Sequence, residues 1–158
     1  MAENTKKMTL IVFSNDLDKA LAAFILATGA ASSGIEVTMY FTFWGLALLR
    51  KSSGGGKKGF IERMFGWMLP KGPSQAALSK MHMFGAGTGL MKHVMRSKRM
   101  PQLAEFMDMA RSMNVRIVAC TTSMSIMGFT RGELIDGIET GGVATYLGTA
   151  RDSTINLF

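Results

Sequence analysis

The chain of 158 residues holds one cysteine, Cys120, and no other side chain in it is as well placed for covalent chemistry. Cys120 closes the apolar, β-branched run Val115-Arg-Ile-Val-Ala-Cys120 and is followed at once by Thr121, Thr122 and Ser123. A strand pattern that ends in a thiol and runs into three cap-type residues predicts a cysteine at the start of a helix. There the unpaired amides and the helix dipole stabilise a thiolate and lower its pKa. Burial acts the other way, so a reactive thiol also needs a path to solvent. With a single cysteine no internal disulfide can form, and in a reducing cytoplasm such a thiol is either buried filler or a nucleophile. A second polar group, Ser14-Asn15-Asp16, closes the first apolar run. Ser14 and Asn15, with Thr121, Thr122 and Ser123, are the residues expected to bind substrate or steady a thiolate.

The remaining candidate motifs point to less. His82 and His93 are separated by a glycine cluster, at a spacing unlike that of metal ligands, and one cysteine cannot build a Cys-rich zinc site. No metal is expected. Gly85-Ala-Gly-Thr-Gly89 is close to a dinucleotide-binding fingerprint, but Leu90 stands at the third glycine position and no strand pattern precedes it. Gly56-Lys57-Lys58 has Lys51 where a Walker A motif needs glycine, and it lacks the following Ser or Thr. Both clusters read as mobile loops that could cover, and open, the edge of a sheet. No Gly-x-Ser-x-Gly elbow supports a serine triad. Trp44 and Trp67 lie near basic residues, yet no recognisable nucleic-acid module surrounds them, and no nucleic-acid partner is expected. Nothing calls for a cofactor.

The elements that must position Cys120 alternate between strand and helix. Residues 8–14 form a continuous apolar and β-branched run, the signature of a strand covered on both faces. Asn15 and Asp16 are N-cap candidates for a helix over 18–31, and Gly34 ends that unit. A second strand is expected over 36–43, with a helix beginning at 44–50. Residues 52–59 are too rich in glycine to be regular, and 60–69 suggest a short amphipathic helix. Pro101 suits the first turn of a helix that Asn114 closes, and 115–120 is the third strand. Residues 133–138 read as a helix end running into a fourth strand, Gly141-Gly142 opens a helix to Ala150, and 153–158 is the last strand. The pattern predicts one domain, residues 1–158, of α/β class. Its fold is flavodoxin-like and doubly wound, a mainly parallel sheet of about five strands with helices on both faces. In such sheets ligands bind outside the carboxyl ends of the strands, which is where Cys120 falls.

Composition narrows the setting. Hydrophobic residues at 47% and charged residues at 18% exclude a disordered chain. The longest uncharged apolar stretch, 37–49, is too short to span a bilayer, so no transmembrane segment is expected. The first eight residues are mostly polar, without the apolar core of a signal peptide. The formal charge of +7 is concentrated between Arg50 and Arg116, where thirteen Lys or Arg face three acids, and twelve of the fifteen methionines lie between Met64 and Met127. That middle could attract an anionic substrate, an acidic partner or an anionic membrane surface. The apolar 40–49 segment and the Met-rich helices point to a homo-oligomer.

Four stretches together resemble the DsrE/DsrF-like family, in its single-chain, methionine-rich branch. They are Leu10-Ile-Val-Phe-Ser14, the 81–88 neighbourhood, Val118-Ala-Cys-Thr-Thr-Ser-Met-Ser-Ile-Met-Gly128, and 133–139 with 141–146. The resemblance implies a flavodoxin-like sheet and oligomeric assembly. It also implies a cytoplasmic sulfur carrier or sulfurtransferase in which Cys120 holds sulfur as a persulfide between donor and acceptor partners. The competing expectation is a binding module of the same fold with an inert cysteine, docking an acidic or membrane-associated partner through the basic middle. The Thr121-Thr122 pair stands where the family pattern leads one to expect larger residues.

Overall fold

Runs of β-branched and apolar residues become strands here because both faces of the sheet are covered, and helices follow where the apolar period lengthens. The computed structural model of the chain describes residues 6–51, 71–80 and 83–158. Its strands are β1 (Lys7–Val12), β2 (Glu36–Phe41), β3 (Arg116–Cys120), β4 (Glu139–Gly141) and β5 (Thr154–Leu157). Its helices are α1 (Leu17–Ser32), α2 (Ala86–Ser97), α3 (Leu103–Ser112), α4 (Thr121–Met127) and α5 (Val143–Ala150). The five strands form one parallel sheet in the order β4-β3-β2-β1-β5, a flavodoxin-like α/β fold. The chain moves outward from β1 to β4 and then returns to the far side of β1, so strand order reverses between β1 and β5.

Alternation along the strands divides the interior in two. Leu10, Val12, Met39, Phe41, Ile117 and Ala119 face the main core, which α1 and α3 close with Phe24, Ala27, Leu103 and Met107. The opposite parity places Tyr40, Val118 and Cys120 on the other face, in a small cluster with Tyr146 of α5. Cys120 is thus the last strand residue on the thinly covered side of the sheet.

Several expected elements differ in kind. The second strand stops at Phe41, and residues Phe43–Leu49 form 3-10 turns instead of the start of an α-helix. The cause lies at Gly45, whose N–H approaches both Phe13 O at 2.9 Å and Thr42 O at 3.0 Å, tying the turn to the end of β1. Phe43 takes a left-handed φ of 44° to enter it. Most of the apolar 40–49 segment packs into the chain's own interior: Tyr40, Phe41 and residues 45–49 are all buried. Phe43 and Trp44 remain exposed within it, and further exposed apolar side chains include Val143 and Leu147 on α5 and Ile155 and Leu157 on β5. The 85–89 glycine cluster is not a loop either. Gly85, at φ 96°, precedes α2, and Ala86 to Gly89 are its first turn. Before β4 stands only a 3-10 turn, Arg131–Glu133, not a helix end. The expected break at 52–59 and the helix at 60–69 lie outside the described residues.

A buried ion pair fastens the 3-10 segment to the approach to β4. Arg50 and Glu133, both almost fully buried, lie 3.7 Å apart, and the guanidinium sits 5.0 Å over the Phe129 ring. Backbone bonds from Lys51 N–H to Glu133 O and from Ile135 N–H to Leu49 O, each 2.8 Å, close the same junction. Among the described residues no helix is long and apolar enough to cross a membrane.

Candidate functional site

The carboxyl end of β3 carries Cys120 directly into α4, with Cys120 as the residue before the first helical turn. The residue is 5% exposed. Parallel pairing aligns Tyr40 of β2 with Val118 and aligns Gly141 of β4 with Cys120 itself. Tyr40 therefore reaches along the sheet face from one neighbouring strand toward the other, across β3. Its hydroxyl donates to the Gly141 carbonyl at 3.3 Å, and its ring packs 5.2 Å from that of Tyr146. Thr42, just past the end of β2, shares a 2.7 Å hydrogen bond with the buried Ser123 hydroxyl.

These groups set the electrostatics of the thiol. Burial pushes the Cys120 thiol up, as desolvation of a thiolate must. Hydrogen bonding to the sulfur from the Ser123 hydroxyl, the Tyr40 hydroxyl, the Ser123 amide and the Thr42 hydroxyl outweighs it, leaving the thiol below its ordinary value. Tyr40 moves the opposite way: burial first, then its contact with Cys120, hold its phenol far above the ordinary range, so it stays a proton donor at physiological pH. A sulfur anion in this place is steadied by neutral hydroxyl dipoles, each fixed by a strand end or a helix turn. Among the described residues, the groups that lower the thiol are hydroxyls and one amide.

Of the residues marked out by sequence, the structure brings Ser123 to Cys120. Thr121 and Thr122 follow in the same turn and are exposed, and Thr121 O accepts the Ser125 hydroxyl at 3.1 Å. Ser14 and Asn15 are not brought to the thiol. They follow β1, which β2 separates from β3, so their strand runs roughly 10 Å from that of Cys120. The Ser14 hydroxyl accepts the Asp16 amide at 3.1 Å and serves the turn into α1. The crevice where strand order reverses, between β1 and β5, is likewise not where Cys120 lies. Sequence reasoning missed Tyr40, Thr42 and Tyr146. The signal for the first two was the β2 run itself, which Thr42 directly follows, but using it needs the knowledge that β2 and β3 are neighbours.

The site thus defines a class: a flavodoxin-like parallel sheet that carries one hydroxyl-ringed thiol at the end of an inner strand. Comparison with known proteins narrows the class to a family. The chain matches the DsrE/DsrF/DrsH-like family over residues 4–158, and it belongs to that family. It is 45% identical to the uncharacterized protein YrkE of Bacillus subtilis (strain 168), over 100% of this chain and 99% of that one. It is 32% identical to the sulfur carrier protein DsrE2 of Allochromatium vinosum, over 97% and 98% of the two chains. The crystal structure of the YchN protein from E. coli superposes with a TM-score of 0.59 over 98% of this chain and all of that one, at 11% identity, which is a likeness of fold.

Proposed function

We propose that this protein is a sulfur carrier that holds a sulfane sulfur on Cys120 as a persulfide and passes it to a partner's thiol. The observation behind this reading is the ring of hydroxyl donors around a lone thiol, which favours a sulfur anion without supplying a second cysteine to trap it. The name of the 32% identical relative, a sulfur carrier protein, supports it.

The chemistry balances without an electron carrier. In loading, the Cys120 thiolate attacks the outer sulfur of a sulfane donor. A new S–S bond forms to Sγ, the donor's S–S bond breaks, and its electron pair leaves on sulfite (from thiosulfate) or on a thiolate (from a persulfide). In discharge, an acceptor thiolate attacks the outer sulfur, the bond to Sγ breaks, and Cys120 returns as thiolate. In this reading Thr121 and Thr122, exposed beside Cys120, are the residues a donor or acceptor meets first, and Ser123 and Thr42 steady Sγ. A reducing compartment, the cytoplasm, suits a carrier whose thiol must be regenerated.

The test is a single-turnover transfer. The protein is loaded from thiosulfate labelled at the sulfane position, desalted, and mixed with excess reduced glutathione. The label is expected to leave for the small thiol in an amount approaching one per chain. Label that stays on the protein after prolonged exposure would rule out a carrier.

A further inference from the structure

Tyr40 is the side chain on this site with two possible acceptors and one proton. Its hydroxyl lies 3.3 Å from the Gly141 carbonyl, and its side chain packs with Cys120 in the small cluster on this face, where it is one of the groups that lower the thiol. Gly141 and Cys120 are paired across β3 and β4, so the two acceptors are neighbours. The Tyr40 ring is packed in the small cluster with Val118 and Cys120, 5.2 Å from the ring of Tyr146.

We propose that the Tyr40 hydroxyl is a two-position donor. It bonds the Gly141 carbonyl while Sγ is protonated or sulfur-loaded, and it turns to Sγ whenever negative charge appears there. A protonated thiol or the inner sulfur of a persulfide is a poor acceptor, whereas a thiolate draws a charge-assisted hydrogen bond stronger than that of a neutral carbonyl. The donor therefore acts twice: when the resting thiol ionises, and when discharge breaks the S–S bond and leaves the electron pair on Sγ. The second action rests on the carrier reading above; the first does not. The titratable groups facing Tyr40 among the described residues are Cys120 and Tyr146.

The experiment uses the resting thiol, so its outcome is independent of whether the protein carries sulfur. Because Cys120 is the one cysteine in the chain, iodoacetamide consumption against pH reports its ionisation directly. Tyr40→Phe keeps the ring packing and removes the donor. The midpoint of the profile is expected to move upward, and alkylation near neutral pH to slow by roughly tenfold, the scale of one hydrogen bond to a charged group. A second arm keeps the hydroxyl and changes its strength. The chain has two tyrosines, so 3-fluorotyrosine incorporated into a Tyr146→Phe background labels position 40 alone. The more acidic phenol is a stronger donor, and the midpoint is expected to move downward relative to the unfluorinated background. Opposite shifts in the two arms support the assignment. A Tyr40→Phe profile that coincides with the parent's overturns it, and so does a fluorinated profile that fails to move. If Tyr40→Phe does not fold, the fluorinated arm decides alone.

Discussion

Cys120→Ser is expected to fold as the parent does and to take up no sulfur from any sulfane donor. The loss is total because an alcohol at neutral pH supplies neither the anion nor the S–S bond that loading requires. Folding survives because the smaller oxygen enters a place already furnished with hydroxyl partners, those of Ser123, Tyr40 and Thr42. A buried hydroxyl that keeps its hydrogen bonds costs about 1 kcal/mol or less, which in a domain of this size moves the melting midpoint by about 2–4 °C. Thermal melting of the two proteins checks the first half, and intact mass after donor treatment checks the second. A serine variant that gains the mass of sulfur would remove Cys120 from the account.

The largest effect on stability is expected at Gly45. A Cβ there would press into the Val12 carbonyl, with both the oxygen and the carbon of that backbone group in the way. Nothing at this spot is a flexible side chain that can swing aside, and the Val12 oxygen also accepts the Thr42 amide at 3.0 Å. Gly45→Ala must therefore separate the 3-10 turn from β1 or push the Val12 carbonyl off its partner. We expect a destabilisation of about 3 kcal/mol, the upper range for overpacking a closed site, read as a melting midpoint lower by about 6–12 °C. The site should feel it too, because the Thr42 amide bond that moves fixes the residue sharing a hydrogen bond with Ser123. Slower alkylation of Cys120 in the folded fraction would accompany the loss of stability. A Gly45→Ala protein as stable as the parent would mean that the turn has slack the packing does not show.

What the sequence disclosed follows from how local each signal is. A run such as 115–120 is apolar on both faces because helices cover a parallel sheet, so the strand and its ending at Cys120 were legible from residue types alone. The cap-type residues after it likewise announced α4. Strand order is not local, and the distance of Ser14 and Asn15 from β3 follows from that: both come just after the first strand, but β2 lies between it and β3. Tyr40 and Thr42 were hidden for the same reason. Each reads as part of an ordinary buried strand until pairing sets Tyr40 beside Val118. The 3-10 segment was missed because its cause is a backbone approach between Gly45 and the end of β1, which side-chain periodicity does not record. The glycines of 85–89 misled in the other direction. Poor helix formers by propensity, they nonetheless supply the left-handed entry and first turn of α2.

The central claim is that Cys120 accepts sulfur, and intact-mass spectrometry of the wild-type protein after exposure to polysulfide addresses it most directly. The account predicts a gain of one sulfur atom, mapped by peptide analysis to Cys120 and removed by dithiothreitol. A protein that remains at its original mass with polysulfide, thiosulfate and an organic persulfide alike would contradict it.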